Sequence, residues 1–335
     1  MNLIGPNMQL DCTPDFTPAA ETERLVHLLR QVLHKKLRKR CAIVGISGGV
    51  DSSVALSLCV RALPPERVTA LILSERDSSP DSERLARELA RNLGIRPVKE
   101  DITPALEGFG CYRRRDEAVR RVFPEFDAGA GYKVKISLPS NPTEDASLNV
   151  FSVTIVRPDG EQLSKPLPPE AFHQIVAASN FKQRTRMAFL YYHAELRNGA
   201  VVGTANKNEH EQGFFVKYGD SAVDIRLLGH LCKSQIYRLA AHLDVPEEIQ
   251  RRAPTSDTYS APCTQEEFFF RMPFEMNDKL LVFTESGLSP ELAAIQLGIS
   301  EISARRALAD IASKRRATEY LRMAPVSLDA REGLI

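Results

Sequence analysis

Short apolar runs and longer stretches with helical spacing take turns along this chain. Cys41 to Ile46, Val68 to Leu73, Arg96 to Ile102 and Gly199 to Thr204 are runs of a length and β-branched content that suit buried strands. Between them lie helical segments. Glu21 to Leu37 carries Leu25, Leu28, Leu29, Val32 and Leu33 at helical spacing, and a second helix carries Val54, Leu56, Leu58 and Val60. A third enters at Pro80 and stops at Gly94, since proline suits a first helical turn and glycine a helix end. A long helix is expected from about Pro168 to Arg197. Strand, helix and strand in alternation predict an α/β fold, a doubly wound and mainly parallel sheet with ligands at the carboxyl ends of its strands.

Two stretches depart from that rhythm. In Tyr132 to Leu138, Val134, Ile136 and Leu138 alternate with Lys133, Lys135 and Ser137, and Leu148 to Val156 is a second β-like run before the turn Arg157-Pro158-Asp159-Gly160. Period-two alternation predicts a β-hairpin inserted over residues 127–166. Residues 265–325 read as a helical C-terminal part. Within it, Leu288 to Leu308 has the helix, Gly298 turn and second helix with Arg305 and Arg306 of a helix-turn-helix. Residues 1–20 are expected to form an arm, residues 21–325 the main domain and residues 326–335 a tail.

The bulk numbers narrow the function. The 335 residues are 43% hydrophobic and 26% charged with a formal net charge of +1, so no broad basic field invites nucleic acid or anionic membrane. No apolar run reaches membrane-spanning length, and Met1 to Pro6 lacks the features of a signal peptide. Six scattered cysteines without a C-x-x-C pair argue against a zinc site or a disulfide framework, and the expected compartment is the reducing cytoplasm.

The densest chemistry lies where the first strand breaks. Gly45-Ile46-Ser47-Gly48-Gly49-Val50-Asp51-Ser52 places paired glycines at a strand-to-helix turn, where backbone N–H groups converge and the helix start adds partial positive charge. Such a turn suits phosphate. It has neither the lysine and spacing of a Walker loop nor G-x-G-x-x-G. A second polar stretch, Gly203 to Asp220, stands at another strand end, followed by Asp224, Lys233 and Pro254-Thr255-Ser256-Asp257. Carboxylates hold Mg²⁺ and lysines neutralise charge on phosphate oxygens, so this set suits phosphoryl chemistry.

Ser-Gly-Gly-x-Asp-Ser resembles the pyrophosphate loop of enzymes that split ATP into AMP and pyrophosphate. With Asn180 to Met187, Gly203 to Asp224 and Pro254 to Asp257, the chain from about residue 20 to 325 resembles the ammonia-dependent NAD synthetases. The resemblance implies an adenine nucleotide alpha-hydrolase-like fold and amidation of deamido-NAD through an acyl adenylate. Gly45, Ile46, Ser47, Gly48, Gly49, Val50, Asp51 and Ser52 would wrap the ATP phosphates, joined by Thr204, Lys233 and Thr255, with Leu71 to Ser74 against adenine. Asp51 and Glu209 would hold magnesium, and Arg184, Lys217, Asp224 and Lys314 would bind the dinucleotide, Lys314 from a neighbouring subunit. Asp51 and Lys233 would act in catalysis with Asp220 (or Asp224) as the group that deprotonates ammonium. A homodimer is implied, with free ammonia or a separate glutaminase as nitrogen source, because only the residues before Cys41 precede the loop strand.

The match is incomplete on the acceptor side. Gly219-Asp220-Ser221-Ala222 stands for Gly-Asp-Gly-Gly, Ser313-Lys314-Arg315 stands for His-Lys-Arg, and compact members of the family lack the hairpin. These departures motivate a runner-up that adenylates and amidates a different carboxylate, of the kind met in secondary metabolism. A transfer-RNA-modifying relative is weaker, since neither reactive cysteines nor a basic face is present. A DNA-binding regulator acting through the helix-turn-helix is the reading from a different class.

Overall fold

The computed structural model describes residues 16–138, 151–255 and 258–327. The strands are β1 (Cys41–Gly45), β2 (Val68–Ser74), β3 (Val98–Asp101), β4 (Lys133–Ser137), β5 (Ser152–Val156), β6 (Gln162–Pro166), β7 (Gly199–Gly203) and β8 (Ile225–Arg226). The helices are α1 (Pro18–Gln31), α2 (Val50–Ala62), α3 (Pro80–Asn92), α4 (Thr103–Gly108), α5 (Cys111–Arg120), α6 (Pro169–Leu196), α7 (Lys207–Gln212), α8 (Lys233–His242), α9 (Glu247–Arg251), α10 (Phe274–Ser286), α11 (Pro290–Leu297), α12 (Glu301–Ala317) and α13 (Glu319–Arg322).

The main sheet runs β3-β2-β1-β7-β8 with every pairing parallel. A parallel strand needs cover on both faces, which is why β1 and β2 read as continuous apolar runs. Ala42 and Val44 point into one layer with Val54 and Leu58 of α2, Leu85 of α3 and Ile236 of α8. Ile43 points the other way, among Leu71, Met187 and Leu190 of α6 and Val201. The chain winds outward from β1 to β3 and then resumes at β7 on the other side of β1. That reversal is a topological switch point, the crevice where open α/β sheets bind ligands.

The inserted segment is antiparallel, as expected, and carries one strand more than a hairpin. It is a three-stranded antiparallel sheet in the order β4-β5-β6. The third strand, Gln162–Pro166, is mostly exposed and has little apolar alternation, so its pattern resembled a loop. Val134, Ile136, Val153 and Ile155 form the buried face with Phe123, Phe126 and Ile175. Residues 148–150 of the expected run, residues 1–15 of the arm and residues 328–335 of the tail lie outside the described residues.

The C-terminal part is helical as expected. Leu280, Leu281 and Phe283 of α10 pack with Ala293 and Ala294 of α11 and with Ala304, Ala307 and Ile311 of α12. No helix among the described residues is long and apolar enough to cross a membrane.

Candidate active site

The turn after β1 is built so that glycine is required. Gly48 has a φ of +72°, and a Cβ there would lie 2.5 Å from the Ser82 carbonyl oxygen. Both facts exclude a side chain. Gly49 is the N-cap of α2, and its carbonyl accepts the Ser52 and Ser53 hydroxyls at 3.0 and 2.9 Å. The Ser47 N–H donates to Ser52 Oγ at 3.2 Å, and the two hydroxyl oxygens stand 3.3 Å apart. These contacts are long for hydrogen bonds, so an anion bound at the turn exchanges weak partners for stronger ones.

Across the switch point the predicted charged groups meet. Lys233, at the start of α8 and fully buried, forms an ion pair with Asp51 Oδ2. Asn206 Nδ2 donates to Asp51 Oδ1 at 2.9 Å, while its backbone N–H donates to Glu209 Oε2 at 3.0 Å. Asn206 and Glu209 form a capping box that starts α7, so local helix chemistry fixes the Glu209 carboxylate beside Asp51. Burial pushes the Glu209 carboxyl up to about 8, the Asp51 charge adds to the rise and Lys233 opposes it. Burial by itself would lower Lys233, but Asp51 and Glu209 hold its ammonium above the ordinary lysine value.

Among the described residues no cluster of three or more histidine, cysteine or carboxylate side chains is arranged for a metal. Two adjacent carboxylates beside a phosphate-suited turn nevertheless match Mg²⁺, which takes one or two protein carboxylates and fills its remaining positions with water and phosphate oxygens. Burial first, and then the neighbouring Asp51 charge, raise the Glu209 carboxyl, and a cation beside the two carboxylates would offset both. The donor set fits the ion.

The support for this constellation went unread in the sequence. Asn208 Oδ1 accepts the Lys233 N–H at 3.1 Å, and Asn208 Nδ2 donates to Asn277 Oδ1 at 2.8 Å and Asp278 Oδ1 at 2.6 Å. Asp278 Oδ2 accepts the Ser234 N–H at 2.8 Å, so α10 supplies the cap for the start of α8. Asn206, Asn208, Lys233, Asn277 and Asp278 are all fully buried. The available signal was a polar pair, Asn277-Asp278, set among the apolar positions Met276, Leu280 and Leu281 of one helix.

The remaining predicted residues lie around this centre in different settings. Thr204 follows β7, and Thr255 forms an antiparallel bridge with Thr264. Leu73 O, at the end of β2, accepts Arg186 Nε at 3.4 Å. Asp220 Oδ1 accepts the Val216 N–H at 2.7 Å; burial raises its carboxyl to about 6 against the pull of that bond. Arg184 is exposed and donates to the Lys217 carbonyl at 3.3 Å, and Lys217 Nζ donates to the carbonyls of Tyr320 at 2.6 Å and Met323 at 3.2 Å. Asp224 accepts the Tyr191 hydroxyl at 3.1 Å and the Val201 N–H at 2.8 Å. Lys314 stands apart: its ammonium bonds Phe269 O at 2.8 Å and Asp310 Oδ2 at 2.7 Å in its own chain. Burial pulls Lys314 below its ordinary value despite Asp310. Ser256 and Asp257 lie outside the described residues.

A second buried ionic cluster borders the end of β2. Lys182 donates at 2.8 Å to each of Glu75 Oε1, Asp77 Oδ2 and Thr258 O, which uses its three protons. Arg115 pairs with Asp77 and Asp116, and the Tyr112 hydroxyl donates to Glu75 Oε2 at 2.8 Å. Burial would raise the Asp77 carboxyl, but Lys182 and Arg115 hold it below the usual carboxylate range.

A family model described as NAD synthase matches residues 21–121 and 151–325. The chain is 46% identical over 309 residues to an NH(3)-dependent NAD(+) synthetase of Rhizobium meliloti (strain 1021), covering 92% of this chain and 91% of that one. An NH(3)-dependent NAD(+) synthetase of Thermotoga neapolitana is 39% identical over 263 residues, covering 78% and 83%. Among solved structures, an NMN synthetase from Francisella tularensis aligns with a TM-score of 0.63 at 25% identity, covering 93% of this chain and 99% of that one. An NH3-dependent NAD synthetase from Campylobacter jejuni gives 0.61 at 20% identity with the same coverage, a likeness of fold.

Proposed function

Because the chain belongs to the NAD synthase family, we propose that it is a carbon–nitrogen ligase that amidates deamido-NAD to NAD with ATP and ammonia. The observation that carries this reading is the convergence of the Ser47–Ser52 turn, the Asp51–Lys233 ion pair and Glu209 at the switch point. A carboxylate oxygen attacks the α-phosphorus of ATP and pyrophosphate leaves, giving an acyl adenylate. Ammonia then attacks the carbonyl and AMP leaves. Neither step needs a side-chain nucleophile.

The chain's part is alignment and charge. Backbone N–H groups and the Ser47 and Ser52 hydroxyls hold the departing pyrophosphate, and Lys233 meets the negative charge that builds on it. One oriented donor of this kind is worth about 3 kcal/mol. Asp51 and Glu209 would hold Mg²⁺, which when bound would neutralise charge on the phosphate oxygens. Thr204 and Thr255 contact ATP; Arg184, Lys217 and Asp224 contact the dinucleotide. Asp220, with its raised carboxyl, accepts a proton from ammonium. Lys314 is assigned to the dinucleotide of a neighbouring subunit in a homodimer, a role that requires it to leave Asp310. The working compartment is the cytoplasm.

The Francisella likeness favours one second reading, amidation of a nicotinate mononucleotide, as does the altered acceptor segment. Relatives at 46% and 39% identity weigh toward the dinucleotide. Pyrophosphate release with ATP, Mg²⁺ and ammonium, measured against both carboxylates, decides between them. Turnover is expected to be fastest with deamido-NAD; turnover only with the mononucleotide, or with neither, overturns the reading.

A further inference from the structure

β4 lies outside the two stretches that the family model matches, yet it is tied to a segment beside the active site. As the first strand of a sheet ordered β4-β5-β6, it has one free edge. An exposed edge presents unpaired N–H and C=O groups, and here residues 258–265 cover them. The Val134 N–H donates to Ser260 Oγ at 2.9 Å, and the Val134 carbonyl accepts the Ala261 N–H at 3.0 Å. Tyr259 is buried in the apolar core of the insertion among Val134, Ile155 and Ile175, and its ring meets Phe268 edge-on at 5.6 Å.

The same segment is fastened at both ends to the catalytic side. Its start, the Thr258 carbonyl, accepts Lys182 Nζ within the ionic cluster at the end of β2. At its far end the Gln265 N–H donates to Pro254 O at 2.8 Å and Gln265 Nε2 donates to Glu209 Oε1 at 3.2 Å. Thr264 pairs with Thr255. The attachments come from β4, α6, α7 and the stretch Pro254-Thr255, so the segment is held from several sides at once.

We infer that the inserted sheet is a positioning module: its β4 edge, through Ser260, Ala261 and Tyr259, fixes residues 258–265 and so sets Thr255 and the Gln265–Glu209 contact before the nucleotide arrives. The inference rests on the assignment of Thr255 and Glu209 to ATP and its cation. It makes Tyr259 and Ser260 positioning residues, since neither touches the reacting groups. Pre-ordering lowers the conformational cost of binding, so its loss falls on affinity for the nucleotide.

Two variants of the full chain test this, Ser260→Ala and Tyr259→Leu, each read by hydrogen exchange and by steady-state kinetics. In both, backbone amides of residues 258–265 are expected to exchange at least tenfold faster without ATP. The KM for ATP should rise about fivefold in each, with kcat and the KM for ammonium within twofold. Equal exchange in a folded variant, or faster exchange with an unchanged KM for ATP in both, overturns the inference. If one variant fails to fold, the other decides. Thr255→Ala separates the two levels: an unchanged KM for ATP there removes the assignment of Thr255, while the exchange measurement still tests the sheet's hold on the segment.

Discussion

Asp51 serves three neighbours at once, which makes it the most exacting single position. It accepts from Asn206, pairs with Lys233 and lies beside Glu209, and only 17% of its side chain meets solvent. Asp51→Asn keeps the shape and removes the charge, so pyrophosphate release should fall at least a hundredfold while the circular dichroism spectrum stays unchanged, consistent with ~3 kcal/mol. Gly48→Ala should act through sterics instead. The Ser82 carbonyl must move, and a residue with a Cβ at positive φ costs about 1–3 kcal/mol, so both melting temperature and ATP affinity should drop. Lys314 is where stability and binding part company. Lys314→Ala strips a buried Asp310 of its nearest cation and should lower stability by about 1–3 kcal/mol in urea unfolding. A raised KM for deamido-NAD with full stability would instead favour the contact across subunits.

At the scale of elements, α10 props the start of α8, and with it the Asp51–Lys233 pair, although it contributes no residue to that pair. Its Asp278 caps α8, and α8 begins with Lys233. Asp278→Ala leaves the Ser234 N–H and one Asn208 proton unpaired in the interior, at about 1–3 kcal/mol for each buried group. Unfolding midpoint and kcat should both fall, and Asp278→Asn should recover part of each. The α11–α12 pair has the spacing of a DNA-reading motif, but Arg305 of α12 is bonded to Glu291 of α11 and to Glu301. The two helices are joined by the buried Ala293, Ala294, Ala304 and Ala307, as in a packing hairpin, and a gel shift in moderate salt should show no retained band.

For the molecule as a whole, pH should act through two separate groups. The Asp220 carboxyl, raised to about 6 by burial, accepts a proton only when ionised. At fixed total ammonium, nearly all of it NH₄⁺ in this range, rates should therefore be level above about pH 6 and fall below it, and Asp220→Asn should lose that plateau along with much of the rate. Asp77 works in the opposite sense. Its carboxyl is held low in the fold, so the stability it contributes is present above its unfolded value of about 4 and is lost as pH drops through the folded one. Acid unfolding of Asp77→Asn should show a shallower dependence on pH in that range.

Local rules were enough for the parallel sheet, the Ser47–Ser52 turn and the residues that meet there. Strand length, helix entry at Pro80 and a glycine pair before a helix each depend on neighbours in sequence, so they are legible in it. The family resemblance reached Asp51, Glu209 and Lys233 for the same reason: each stands in the first turn of a helix whose start is written locally. What the tertiary structure decided is everything that depends on residues distant in sequence. Asn277 and Asp278 become a scaffold only because α10 packs against α8, and Lys182 joins Thr258 only because α6 passes under that segment. The third inserted strand had no apolar alternation to announce it, because its partner β5 rather than a buried face holds it in place. Hydrogen bonds between distant segments leave no periodicity behind, and so the sequence by itself determined the phosphate-suited turn and the charged residues around it, while the packing determined what holds them together.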